Sequence, residues 1–222
     1  EGMLDNLLPS SEGPEILLFE AMRYAVLAPA KRLRPILVLA SADLFNVDRQ
    51  SALRVAAAVE MVHTYSLVHD DLPCMDDDDL RRGQPATHVK YNEATAVLVG
   101  DALIPLAFEV LMQPETHNDP KVRAALSLQL AKAVGGQGMV GGQAIDMMMQ
   151  QISANIGTIT RSQQLKTGAL IEFAANRAAG LRYRQGLFIR ISHQSHLHAY
   201  STSAWALVSR RPTISPTVLP RL

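Results

Sequence analysis

Apolar residues recur along most of this chain at the three- and four-residue spacing of helices. In residues 14–28, Ile16, Leu17, Phe19, Met22, Val26 and Leu27 fall mostly on one broad face, with Pro14 placed near the start. A second helix is expected after Pro29, with Lys31, Arg32 and Arg34 at its start and Pro35 in its first turn. A third runs from about Gln50 into Asp71, where Val55, Val59, Val62 and Leu67 mark a buried face. Its C-terminal end delivers two carboxylates into a cavity. Residues 94–113 are nearly all apolar around Asp101, which predicts a helix central to a bundle, kinked at Pro105. Asp101 there needs a partner or a polar cavity. Asn118 or Asp119 is the expected cap of an amphipathic helix over 121–134. Five glycines then fall in the eight positions 135–142, which suits a flexible or phosphate-cradling loop, or close backbone contact with a neighbour. The pattern as a whole predicts an all-α antiparallel helix bundle around a central cavity.

Composition narrows the partners. The 222 residues carry 21 basic and 21 acidic side chains, so no nucleic acid partner and no polybasic membrane patch is expected. The single cysteine, Cys74, excludes an intrachain disulfide and fits a reducing, cytoplasmic setting, where it reads as a small buried filler. No uninterrupted apolar stretch of spanning length is evident, so no membrane span is expected. Because the chain opens at Glu1, a natural start and a first helix are expected to precede it.

The chemistry is concentrated in residues 60–93. Asp70, Asp71, Asp76, Asp77, Asp78 and Asp79 lie within ten residues, and Arg81, Arg82, Gly83 and Pro85 follow. Two unit charges about 4 Å apart repel by roughly 4 kcal/mol at an effective dielectric near 20. Leu72, Pro73, Cys74 and Met75 restrict how far these acids can spread into water. All-oxygen ligands favour magnesium or calcium, and no D-x-D-x-D-G loop marks calcium. Magnesium takes one or two protein carboxylates and completes its shell with water and phosphate; arginines just beyond would take the remaining phosphate oxygens. A diphosphate clamp follows. Lys31, Arg32 and Arg34 oppose the dipole of the helix they begin, and so call for an anion or a solvated turn.

The run HTYSLVHDDLPCMDDDDLRRGQPATH closely resembles the first aspartate-rich motif of the trans-polyprenyl diphosphate synthases. Its D-D-x-x-x-x-D form is most similar to bacterial farnesyl diphosphate synthases and plant-type geranylgeranyl synthases. The resemblance implies an isoprenoid-synthase fold and a metal site of Asp70, Asp71 and Asp76, with two or three magnesium ions expected alongside diphosphate. It also implies an isopentenyl diphosphate site of Lys31, Arg34, His63 and Arg82, with Ala28-Pro29-Ala30 standing where the family has glycines. Arg81 would steady the departing diphosphate of dimethylallyl or geranyl diphosphate. Gly138 to Met147 follows the family's G-M-x-x-G-Q-x-x-D pattern, making Gln143 and Asp146 secondary site candidates. Gln164 to Leu170 follows the K-T-[GA] segment, in which Lys166 would hold diphosphate and Thr167 would face the reacting carbon. Tyr65 and Ser66 stand where the family sets product length, and the bulky Tyr65 favours the fifteen-carbon product over twenty. The implied reaction is metal-dependent, head-to-tail prenyl transfer by a homodimer. Rival readings are a geranylgeranyl synthase, a catalytically defective fragment or non-catalytic subunit, a terpene cyclase, and a structural calcium-binding protein.

The synthase pattern is expected over residues 1–180, incomplete, with 181–222 an atypical tail. No aspartate follows Asp146, although the family carries a second aspartate-rich motif downstream. Back-translation of Pro212–Thr217, read one frame away, permits Asp-Asp-Ile-x-Asp. A frameshift between about Arg177 and Arg184 would therefore account for the tail.

Overall fold

The computed structural model describes residues 1–150 and 155–177; the proposed tail and its frame lie outside the described residues. The elements in order are α1 (Gly2–Leu7), α2 (Ile16–Leu27), α3 (Leu33–Leu44), α4 (Arg49–Asp70), β1 (Leu80–Arg81), β2 (Gln84–Pro85), α5 (Thr87–Lys90), α6 (Glu93–Met112), α7 (Pro120–Val134), α8 (Met139–Met149), α9 (Ile156–Gln163), a π-helical turn (Gln164–Gly168) and α10 (Ala169–Arg177).

The middle of this bundle is α4. It packs chiefly on α6 and α3 and also meets α1, α2 and α10. Ala52, Val55, Ala56, Ala57, Ala58, Val59, Met61 and Val62 are all buried, so it is apolar nearly all round rather than amphipathic. Asp48 starts it by accepting from the Ser51 N–H at 2.8 Å. Asn92 does the same for α6 through Thr95 N–H at 2.7 Å, and Asp119 for α7 through Lys121 N–H at 2.8 Å. The cap of α7 is therefore Asp119 and not Asn118.

Helix α6 departs from the sequence expectation. Thr95, Ala96, Val99, Gly100, Leu103, Ala107, Val110 and Leu111 are buried, while Val97, Leu98, Asp101, Pro105 and Met112 are exposed. It is a flank of the bundle with one apolar face open, and it continues through Pro105. Asp101 needs neither a partner nor a polar cavity, because water already solvates it. By length and composition alone α6 could cross a bilayer, although Asp101 interrupts its apolar run. Its packed face against α4 makes it a bundle helix.

Leu80 pairs with Pro85 and Arg81 with Gln84 in a short antiparallel hairpin that periodicity did not predict. Arg82 and Gly83 at its tip have φ of 57° and 78°, the two consecutive left-handed residues of a tight hairpin turn. Cys74 is exposed, so it is not a buried filler. The glycine-rich segment is partly helical: a turn at Gly135–Gly138 opens directly into α8.

Candidate active site

Helix α4 carries two charged sites about two turns apart. At its C-terminal end Asp71 is buried, and Arg81 Nε donates to both of its carboxylate oxygens at 2.9 and 3.1 Å. Arg81 Nη2 also reaches Asp71 and, at 3.3 Å, Asp78. The hairpin thus exists to return Arg81 against the helix end. Burial pushes the Asp71 carboxyl up, and the Arg81 hydrogen bonds and charge oppose that shift. Asp70 is half-buried with its carboxyl raised to about 6, first by desolvation and then by Asp76 and Asp71, against the pull of Lys166 and Arg81. Asp76 is exposed, and its backbone N–H donates to Asp70 O at 2.8 Å, which folds the loop back over the helix end.

This donor set fits magnesium in a limited sense. Asp70 and Asp76 are free carboxylates near one another, the one or two such ligands that magnesium takes before water and substrate phosphate complete its shell. Asp71 is already held by Arg81. Among the described residues no cluster of three or more metal-ligating side chains is preassembled.

Two turns earlier on the same helix lies a cavity of about 540 Å³ lined by Lys31, Arg32, Arg34, Glu60, His63 and Arg82. Arg34 Nη1 lies 3.1 Å from His63 Nε2. Burial, then Arg34, Arg82, Arg81 and Arg32, lower the His63 pKa to about 3, so the imidazole is neutral and Nε2 accepts. This depressed value fixes the sign of a pH effect. The unfolded chain takes up the His63 proton near 6.5, so stability falls as pH drops below that and keeps falling toward 3. The slope is at most about 1.4 kcal/mol per pH unit. Urea unfolding at intervals from pH 7.5 to 5 should show the wild type losing stability relative to His63→Gln; parallel profiles would contradict a half-buried, neutral His63.

A second cavity, of about 420 Å³, joins the two sites. Arg34 and His63 line one part of it and Asp70, Lys166 and Thr167 another. Tyr65, Ser66, Met75, Met139, Val140 and Met147 supply much of the remainder. Tyr65 is buried and packs edge-on against His69, ring centroids 5.8 Å apart. Lys166 and Thr167 lie on the π-helical turn, a geometry concentrated at functional sites. Lys166 Nζ is held by Asp146 at 2.7 Å. Gln143 presents buried Nε2 and Oε1 atoms that have no partner among the described residues. Buried amides are nearly always satisfied, so this one stands out on the cavity wall.

Helix α8 approaches the π-helical turn so closely that a Cβ on Gly142 would overlap the backbone of Lys166 and Leu165. Ser162 Oγ donates to Gly142 O at 3.1 Å and locks the same junction. Gly142 therefore serves close packing of α8 on the π-helical turn.

Lys31, Arg34, His63 and Arg82 thus share one cavity, and Tyr65, Ser66, Asp70, Gln143, Lys166 and Thr167 share the other. Asp71 and Arg81 meet beside them, whereas Asp76 stands at the open end of the loop. Glu60 and the methionines escaped the sequence reading. A lone carboxylate in the apolar run ALRVAAAVEMVH, three residues before His63, was the available signal for Glu60.

A family profile described as polyprenyl synthetase matches residues 15–185. Geranylgeranyl pyrophosphate synthase 4 of Arabidopsis thaliana is 44% identical over 175 residues, covering 78% of this chain and 46% of that protein. Farnesyl diphosphate synthase of Escherichia coli (strain K12) is 45% identical over 175 residues, covering 78% of this chain and 57% of that protein. The crystal structure of an FPP/GFPP synthase from Zymomonas mobilis superposes with a TM-score of 0.79 at 52% identity, covering 83% of this chain and 67% of that one. The chain spans about half the length of the curated relatives it matches. With helical architecture, motif order and profile in agreement, this chain belongs to the polyprenyl synthetase family.

Proposed function

We propose that the chain performs head-to-tail prenyl transfer, joining isopentenyl diphosphate to dimethylallyl or geranyl diphosphate to give farnesyl diphosphate. The observation that carries this is one cavity touching a cationic site at Arg34 and His63 and an acidic site at Asp70, with Lys166 and Thr167 beside it. In this reading Lys31, Arg34, His63 and Arg82 grip the isopentenyl diphosphate, and neutral His63 adds a hydrogen bond without a charge. Asp70 and Asp76 would hold magnesium, while Asp71 aims Arg81. Magnesium, when bound, neutralises the diphosphate that leaves the allylic carbon. Arg81 and Lys166 take oxygens of that diphosphate, with Lys166 leaving Asp146 to do so. Oxygens of Thr167 face the positive charge developing on the allylic carbon, and the double bond of the second substrate attacks there. Loss of a proton restores the alkene, and no side-chain nucleophile is used. Gln143 orients the allylic chain.

Tyr65, buried at the cavity wall and packed edge-on against His69, favours a short product. The open apolar face of α6 supports pairing with a second copy, and a lone cysteine supports a cytoplasmic setting. A family match that ends at residue 185 supports a change of reading frame near there, which the coding DNA would test directly.

Purified chain, magnesium, isopentenyl diphosphate and geranyl diphosphate, with products weighed by mass spectrometry, should yield farnesyl diphosphate. A twenty-carbon product would keep the family chemistry and remove Tyr65 as the floor. The absence of any aspartate after Asp146 favours one second reading, a defective fragment or non-catalytic subunit. That reading would be selected by no product from folded protein that still binds diphosphate in a magnesium-dependent way.

A further inference from the structure

The cationic cavity contains one group at odds with anion binding. Glu60 is 1% exposed, lines that cavity and is the only carboxylate among the described residues that does so. It lies three residues before His63 on α4, on the same face of the helix. Arg32 Nη1 donates to Glu60 Oε1 at 2.7 Å. The same guanidinium turns its Nη2 to the carbonyls of Val26 at 2.8 Å and Ala28 at 3.0 Å, at the end of α2. One side chain therefore ties the last turn of α2 to the interior of α4.

The backbone of Arg32 is the other half of this arrangement. Its φ is 49°, a left-handed conformation that costs a non-glycine residue about 1–2 kcal/mol. Ala28, by contrast, is in an extended conformation (φ −52°, ψ 143°) that suits the proline after it, so alanine is accepted there. The turn that reverses the chain between α2 and α3 is thus made at Arg32, flanked by Lys31 and closely followed by Arg34. Its carbonyl accepts the first hydrogen bond of α3, from Ile36 N–H at 3.0 Å, and its side chain adds three hydrogen bonds that hold the turn.

We propose that Arg32 and Glu60 form a positioning pair: Glu60 pins the Arg32 guanidinium, which fixes the left-handed turn, and the turn aims Lys31 and Arg34 at the diphosphate. The proposal rests on the isopentenyl diphosphate site assigned above. Burial first, and neighbouring arginines after it, lower the pKa values of Arg34 and Arg82, and the Glu60 charge opposes that lowering, so Glu60 also offsets the mutual repulsion of the cations.

Two substitutions separate positioning from simple charge. Arg32→Lys keeps the cation and loses the planar fork that reaches three acceptors at once. Glu60→Gln keeps the shape and removes the negative charge. If Glu60 acted by charge alone, Glu60→Gln would bind an anion more tightly. Positioning predicts the opposite: both variants bind isopentenyl diphosphate about ten- to a hundredfold more weakly, the range seen for outer partners of binding groups. Binding should be measured calorimetrically on the full chain without magnesium, with Lys31→Ala and Arg34→Ala as site controls. Magnesium-dependent binding of inorganic diphosphate at the Asp70 end, read on the same samples, should remain at the wild-type level, which a general loss of fold would not allow. Weakening in the site controls with unchanged Arg32→Lys and tighter Glu60→Gln overturns the pair. No effect of Lys31→Ala or Arg34→Ala overturns the site itself, and the pair with it.

Discussion

Gly142→Ala should abolish most of the proposed prenyl transfer, lowering kcat/KM by about a hundredfold while the bulk of the bundle stays folded. A methyl group at this position has no room, because it meets the main chain of Lys166 and Leu165 rather than the end of a flexible side chain. The relief available is to separate α8 from the π-helical turn, which costs about 1–3 kcal/mol as an overpacked contact and moves Lys166 and Thr167 together. Displacement of this size also breaks the bond from Ser162 Oγ to Gly142 O and the pairing of Lys166 with Asp146. Gly136→Ala is the matched control, since a methyl group there meets nothing within 4 Å. Steady-state kinetics and thermal melts on both variants test this. Wild-type rates for Gly142→Ala would mean that the junction has slack.

The second large effect separates two neighbouring acids that look equivalent in the sequence. Asp71→Asn should cost about 2 kcal/mol of stability, between the values for exposed and for buried ion pairs, because Arg81 is about one-third exposed while Asp71 is not. It should also release Arg81 and loosen the hairpin that Arg81 belongs to. Asp76→Asn should leave stability unchanged, since that side chain is exposed, yet weaken magnesium-dependent diphosphate binding about ten- to a hundredfold. Denaturant titration and calorimetry on the pair decide it. Equal stability losses in the two variants would show that Asp71 holds no special place.

What the sequence revealed, and what it hid, follows from the range of the forces involved. The ends of α4 were readable within a residue because local rules set them: an apolar run and, beyond Asp71, the rigid Leu72-Pro73. The sharing of one cavity by Arg34 and His63 followed from motif resemblance, and the resemblance reached Lys166 and Thr167 as well. Asp101 was misjudged because an apolar run says how hydrophobic a helix is, not how many of its faces are covered. The hairpin escaped because Arg82 is a poor residue for a left-handed position, and its place there is set by the contacts of Arg81 and the adjacent Gly83. Arg32 escaped for the same reason. Its conformation is imposed by Glu60, a residue twenty-eight positions away, and no window of local sequence contains both.

Helix α4 also acts as a ruler. His63 and Asp70 stand on one continuous rod, seven residues or about 10 Å apart along the axis, and nearly in line. Loops elsewhere in the chain can lengthen or shorten without altering that spacing. A single residue gained or lost between them cannot be absorbed in this way, because it turns one site by about 100° relative to the other. Descendants of this sequence can therefore exchange side chains along that span where packing allows, but cannot change its length.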